Sequence, residues 1–227
     1  MVEVRTIRRN LSTAGLALVI LTAMGAPGQA DLYYFKCITD NSAANAAIGE
    51  AQLSVDVTAG ATAQQVRFDF YNIGPDASSI TDIYFDDGTL LGIAAVYNST
   101  GVHFTQNMPG NTVSPANLPG AHELTPPFEA VADFSADSDA PTQRNGVNPG
   151  ETVGILFNLQ TGGTFDDVIS ELASRELRIG IKVQGFENGG SEGFVDSPRV
   201  PLPGAVLLGS VGLGMAGWRL RGRKELA

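Results

Sequence analysis

Apolar residues recur at every second position in four separate runs, and this period does most to limit what the chain can become. Leu53, Val55 and Val57 form the first run, and Val66, Phe68 and Phe70 alternate with Arg67, Asp69 and Tyr71 in the second. Val153, Ile155, Phe157 and Leu159 form the third, and Leu177, Ile179, Ile181 and Val183 the fourth. Successive side chains of a strand point to opposite faces, so each run predicts a strand with one buried face. Ile80 to Phe85 and Thr89 to Val96 flank Asp86-Asp87-Gly88, which is expected to close a hairpin. Weaker strands are expected at Val102 to Thr105, Phe128 to Phe134 and Phe194-Val195. About eight short strands with frequent turns predict an all-β, antiparallel, jelly-roll-like β-sandwich.

One short helix is expected to interrupt this pattern. Thr164 can cap it, Asp166 and Asp167 suit its first turn, and Phe165, Val168, Ile169 and Leu172 recur at helical spacing. Between Gln106 and Gly150 lies a stretch rich in Pro, Asn and Gly, which reads as long loops on a rigid sandwich. Such loops carry binding function or are tolerated insertions. Charged residues make up 17% of the chain, below the usual ~25%, which argues against a coiled coil or a charge-driven disordered chain. The length of 227 residues fits one all-β domain with short flanking segments.

The formal charge of −10 is unevenly spread. Arg5, Arg8 and Arg9 lie near the start, and Arg219, Arg221, Arg223 and Lys224 lie near the end, so the body between them is more acidic than the whole. An acidic body repels phosphate backbones, and nucleic acid is excluded as a partner.

The flanks read as export signals. Arg5, Arg8 and Arg9 form a charged region before the uncharged apolar stretch Leu11 to Met24. Gly28-Gln29-Ala30 then supplies small residues for cleavage after Ala30, which makes Asp31 the expected mature start. The 14-residue apolar stretch is short for a span, which takes about 20 residues. Arg8-Arg9 resembles a twin-arginine signal, but Asn10, Leu11 and Ser12 fit it poorly, so the general secretion machinery is the expected route. The single cysteine, Cys37, stands too far past the cleavage point for a lipoprotein and reads as a buried small hydrophobe.

At the other end, Val200-Pro201-Leu202-Pro203-Gly204 precedes Ala205 to Trp218, which carries no charge, and the basic cluster Arg219-Leu220-Arg221-Gly222-Arg223-Lys224 completes the pattern. The 17 residues from Leu202 to Trp218 make a helix of roughly 26 Å, just short of a hydrocarbon core. A single C-terminal transmembrane helix is therefore expected, with Trp218 at the interface and Arg219, Arg221, Arg223 and Lys224 stopping transfer on the cytoplasmic side. The small residues Ser210/Gly214 and Gly212/Ala216 could also pack such helices together.

The order of proline motif, short apolar helix and basic tail resembles the PEP-CTERM sorting signal, in its Val-Pro-Leu-Pro variant. Val200, Pro201, Leu202 and Pro203 match the motif, and Gly204 stands where the family usually has Ala. The resemblance implies a protein of bacteria with an outer membrane, recognised by an exosortase near the proline motif and associated with exopolysaccharide. It implies a single-pass inner-membrane intermediate with its body outside the cytoplasm, passed on to the cell surface or extracellular matrix. The expected organisation is a signal peptide over 1–30, a β-sandwich ectodomain over 31–199 and a sorting tail over 200–227. The plainer alternative for the tail is an anchor that no enzyme processes. Ile80 to Gly88 and Leu177 to Phe186 also resemble stretches of uncharacterised ectodomains of this family.

Residues with chemical potential are few. Gly189-Gly190-Ser191-Glu192-Gly193 matches the serine-hydrolase elbow pattern, which needs a strand before it, a helix after it and a later histidine. There is no histidine after Ser191, so a Gly-rich turn between strands is the better reading. His103 and His122 lack the cysteine pair or spacing of a zinc site. A hairpin turn and a helix start already account for Asp86-Asp87 and Asp166-Asp167. Asp133, Asp137 and Asp139 are the calcium candidates, since hard cations prefer oxygen ligands. They do not fit an EF-hand: counting from Asp137, Thr142 stands where Gly is needed and Asn148 where Glu is needed. A solvated acidic surface is the alternative, and no other cofactor is expected. The expected function is a non-enzymatic exported surface or matrix protein, with a carbohydrate-binding module of the biofilm matrix as the alternative.

Overall fold

A computed structural model describes residues 30–39, 41–86, 88–108 and 116–197. The strands are β1 (Asp31–Cys37), β2 (Leu53–Ala59), β3 (Gln65–Asn72), β4 (Ser79–Asp86), β5 (Leu90–Asn98), β6 (Phe104–Gln106), β7 (Ser135–Ser138), β8 (Thr152–Leu159), β9 (Arg178–Gln184) and β10 (Glu192–Asp196). They lie in the order β5-β8-β3-β2-β1-β10-β9-β4-β7-β6, and every pairing is antiparallel. The all-β, antiparallel expectation holds.

β1 divides the sheet into two sections. Its first half, Asp31 to Tyr34, pairs with β2, and its second half, Phe35 to Cys37, pairs with β10. The two sections meet through their apolar faces. Phe85 of β4 lies 4.8 Å from Phe68 of β3 and 4.6 Å from Phe157 of β8, centroid to centroid, both edge to face. The alternating residues of all four sequence runs are buried in this shared core. At the far edges, the Asn98 side chain of β5 bonds both the N–H and C=O of Phe104 in β6, at 2.8 and 3.1 Å.

The turn at Asp86–Gly88 corrects the hairpin expectation. β4 pairs with β7 and β9, whereas β5 pairs with β8, so the two strands lie in different sections and form no hairpin. Alternation of flanking strands is the same for both connections. Asp86 is drawn instead to the Arg178 guanidinium of β9.

The expectation of one short helix is also corrected. α1 (Ala43–Gln52), α2 (Thr142–Asn145) and α3 (Phe165–Ser174) are all helical. α3 is the helix read from the sequence, and Thr164 and Asp167 bond reciprocally across its start. α1 buries Asn45, Gly49 and Gln52. These sit at helical spacing but are polar or small, so an apolar stripe never appears. Gln52 instead bonds the Asp76 carbonyl and the Ser78 hydroxyl at 2.7 and 2.6 Å. Among the described residues no helix is long and apolar enough to cross a membrane, and the expected tail helix lies outside them.

The expected strand at Phe128–Phe134 does not form. Residues 116–134 instead cover the outer face of the second section, where Leu118, Ala121 and Phe128 pack on Tyr84 and Val195. Asn117 does what a neighbouring strand would do: it donates to the Phe128 carbonyl at 2.7 Å and accepts from Ala130 N–H at 3.0 Å. Buried Arg178 donates to the carbonyls of Pro126 and Pro127 at 2.6 and 2.8 Å. The approach is close enough that a Cβ on Gly193 would meet the Pro119 carbonyl oxygen at 2.1 Å.

Candidate functional site

The sorting motif Val200 to Pro203, the basic residues Arg219, Arg221, Arg223 and Lys224, and the Arg5–Arg9 region lie outside the described residues. Ala30 immediately precedes β1, which begins at Asp31. Antiparallel pairing sets Phe35 opposite Asp196, and Ser197 N–H donates to the Tyr34 carbonyl at 2.9 Å. The start of β1 and the end of β10 therefore lie at the same end of the body.

The calcium candidates are spread. Asp133 sits in a 3₁₀ turn, Asp137 in β7, and Asp139 is exposed beyond β7, accepting from the Thr105 hydroxyl at 3.0 Å. Among the described residues no group of three or more His, Cys, Asp or Glu is placed to hold a metal ion. Asp137 faces Asp82 across the β4–β7 ladder, and Lys182 of β9 stands opposite Asp82 on its other side, 3.4 Å from the carboxylate. Burial pushes the Asp137 carboxyl up to about 6, and the nearby Asp82 charge adds to the rise while Asn107 opposes it. Burial also raises Asp82, against the hydrogen bond from Thr81 and the charge of Lys182.

Ser191 stands in a turn between β9 and β10, and the next element is a strand rather than a helix. Its carbonyl accepts from Asn41 at 2.8 Å. His122 is 82% exposed beside Glu123, and His103 lines a cleft of about 460 Å³ with Arg144 and Glu151. A neighbouring cleft of about 590 Å³ is lined by Thr142, Gln143, Arg144, Asn148 and Gln184. Cys37 is free and half-buried, with its thiol directed at the Thr39 carbonyl, 3.1 Å away, and burial pushes the thiol up. Thr39 in turn donates to the fully buried Glu192.

The strand register assembles a further site. Unlike the second section, the outer face of the first carries two rows that are partly exposed, with Leu32, Tyr34 and Tyr97 their exposed members and Ser54 and Gly154 buried. One row runs Leu32, Asp56, Asp69, Gly154 and Tyr97 across β1, β2, β3, β8 and β5. The next runs Tyr34, Ser54, Tyr71 and Thr152. Arg67 bonds Asp69 through Nε at 2.8 and 2.9 Å and Nη2 at 2.7 Å, and its guanidinium carbon lies 4.6 Å from the centroid of the Tyr97 ring. This fork crosses β8 only because position 154 is glycine: a Cβ there would meet Asp69 Oδ1 at 2.6 Å and Arg67 Nη2 at 2.7 Å. Tyr34 is 54% exposed and Tyr97 46%. Partial burial and the charges of Asp69 and Asp56 push the Tyr71 phenol up, so it stays protonated. The alternation of Arg67, Asp69 and Tyr71 is plain in the sequence, but their meeting with Tyr97 depends on pairing through β8.

No protein-family model, curated protein or solved structure matches the chain.

Proposed function

We propose that this chain is an exported, non-enzymatic protein of the cell surface or extracellular matrix, held on a C-terminal span and sorted by an exosortase. The observation that carries the reading is the order of three parts after β10: Val200 to Pro203, the uncharged Ala205 to Trp218, and the Arg219–Lys224 cluster. Pro201 and Pro203 fix φ and lack N–H donors, a chemistry that favours an extended segment of the kind a processing enzyme needs. The span then holds that segment at a fixed depth, and the basic cluster stops it sliding outward. The jelly-roll-like sandwich is the finer reading of the body, supported by the Phe85 contacts with Phe68 and Phe157 between its sections.

The test is the C-terminal peptide of the mature protein, mapped by mass spectrometry from the producing cell. Replacing Pro201 and Pro203 with Ala should leave a full-length, membrane-held form. Peptides containing Trp218 that persist in the mature surface form would reduce the tail to an anchor.

The second reading is a carbohydrate-binding module of the matrix. The open face with Tyr34, Tyr71, Tyr97 and the Arg67–Asp69 fork favours it.

A further inference from the structure

We infer that the open outer face of the first section binds an uncharged, hydroxyl-rich polysaccharide laid across the strands, an inference that rests on the carbohydrate-binding reading. Three features of the face select this occupant.

The first is the placement of aromatic rings among polar groups. Tyr34 and Tyr71 share a row two strands apart, about 10 Å at the usual strand spacing, and Tyr97 stands at the edge of the adjacent row. Between them lie Asp56, Asp69 and Arg67. Aromatic faces stack against the C–H faces of sugar rings, and the intervening polar groups meet hydroxyls.

The second is preorganisation. Arg67 is already held flat by Asp69 and by the Tyr97 ring, so a ligand need not freeze these long side chains. The fork uses Nε and Nη2, which leaves the Nη1 donors outside it.

The third is charge. On this face Arg67 offsets only one of Asp56 and Asp69, and the chain as a whole carries −10. The field of such a body repels an anionic polymer and is indifferent to an uncharged one. A protein partner fits less well, because it would enclose the half-buried Arg67–Asp69 pair and Asp56 at the centre of the contact, where interfaces are depleted of charge. A polysaccharide leaves water around the pair and offers hydroxyls to the polar atoms that stay exposed.

The test is affinity electrophoresis of the full chain, in a non-ionic detergent without sugar, through gels containing hydroxyethylcellulose, laminarin or galactomannan. Gels containing alginate or polygalacturonate are run beside them. At least one neutral polymer should retard the protein, and the two anionic polymers should not. Tyr97→Ala and Gly154→Ala should each weaken retardation about tenfold. The first removes a ring, and the second displaces only the far ends of Arg67 and Asp69. His122→Ala, on the segment covering the other section, should leave retardation unchanged. Circular dichroism reports whether each variant is folded. Retardation by the anionic polymers alone overturns this inference and leaves a glycan-binding reading standing. Neutral retardation insensitive to both face variants does the same, and moves the site toward the clefts beside Arg144. No retardation by any polymer overturns both. A dimer in sedimentation that Tyr97→Ala dissociates would assign the face to a second copy of the chain and overturn the inference.

Discussion

Phe85 is where the two sections of the sheet depend on each other, and Phe85→Ala measures how much. The ring is fully buried and meets Phe157 at 4.6 Å, Phe68 at 4.8 Å and Phe70 at 6.1 Å, all edge to face. Burying an aromatic side chain removes on the order of 200 Å² from water, or roughly 5 kcal/mol. Ala keeps a fraction of that, but the cavity left among three rigid rings adds a term of its own. The measured range for such truncations, about 3–5 kcal/mol, should therefore be met at its upper half. With a urea slope of about 2 kcal/mol per molar, a loss of about 4 kcal/mol lowers the midpoint by about 2 M. The assay is urea unfolding monitored by far-ultraviolet circular dichroism, with Tyr97→Ala as a partly exposed control expected to shift the midpoint far less. A single transition at a much lower midpoint is the expected result. A midpoint shift below about 0.5 M, or two separate transitions, would refute the argument, because the sections would then be stable independently.

Three other outcomes are expected from particular contacts. Gly49→Ala should gain about 1 kcal/mol of helix propensity yet destabilise overall by about 1–2 kcal/mol, because its Cβ would lie 2.2 Å from Phe194 Cζ in the core; a raised urea midpoint would contradict this. Asp137 titrates near 6 when folded and near 3.9 when unfolded, so the folded state holds the extra proton: its contribution is full below about pH 4 and is lost as pH rises through about 6. Asp137→Asn should flatten the pH–stability profile between about 4 and 7, and an unchanged slope in urea titrations would contradict that assignment. Ser191→Ala should change stability by no more than about 0.5 kcal/mol, and a covalent adduct with an active-site serine probe that the variant loses would overturn its reading as a turn residue.

The sequence carried the parts of this fold that depend on neighbours along the chain. Val66, Phe68 and Phe70 announce a strand and its buried face, and Thr164 with Asp167 announces the start of α3, because both signals are local. α1 escaped because its buried positions, Asn45, Gly49 and Gln52, satisfy hydrogen bonds and close packing instead of hydrophobicity. β7 escaped for a related reason: Ser135–Ser138 has Ala136 as its one apolar side chain, and Asp137 reads as solvated until Asp82 is placed opposite it. The Asp86–Gly88 turn was visible, but which strand each flank pairs with is a long-range choice that a turn does not encode. The candidate face was legible as single outward residues and not as a site, since Arg67 reaches Tyr97 only across a glycine of a third strand.

The two outer faces explain why the longest irregular stretch is an unpromising place for a ligand. Tyr84 and Val195 project from the second section, beside backbone at Gly180 and Gly193, and left bare they would form an apolar patch on the surface. Residues 116–134 cover it, and Arg178, Asn117 and the Phe128 ring fasten that cover in place. Its Pro and Asn content, which in a sequence suggests a free loop, reflects a segment that packs without a strand ladder. The first section needs no such cover, because Thr58, Arg67, Asp69 and Thr152 are partly exposed on its outer face and tolerate water. The proposed ligand face is thereby left to β1, β2, β3, β8 and β5, of which all but the edge strand β5 are paired on both sides.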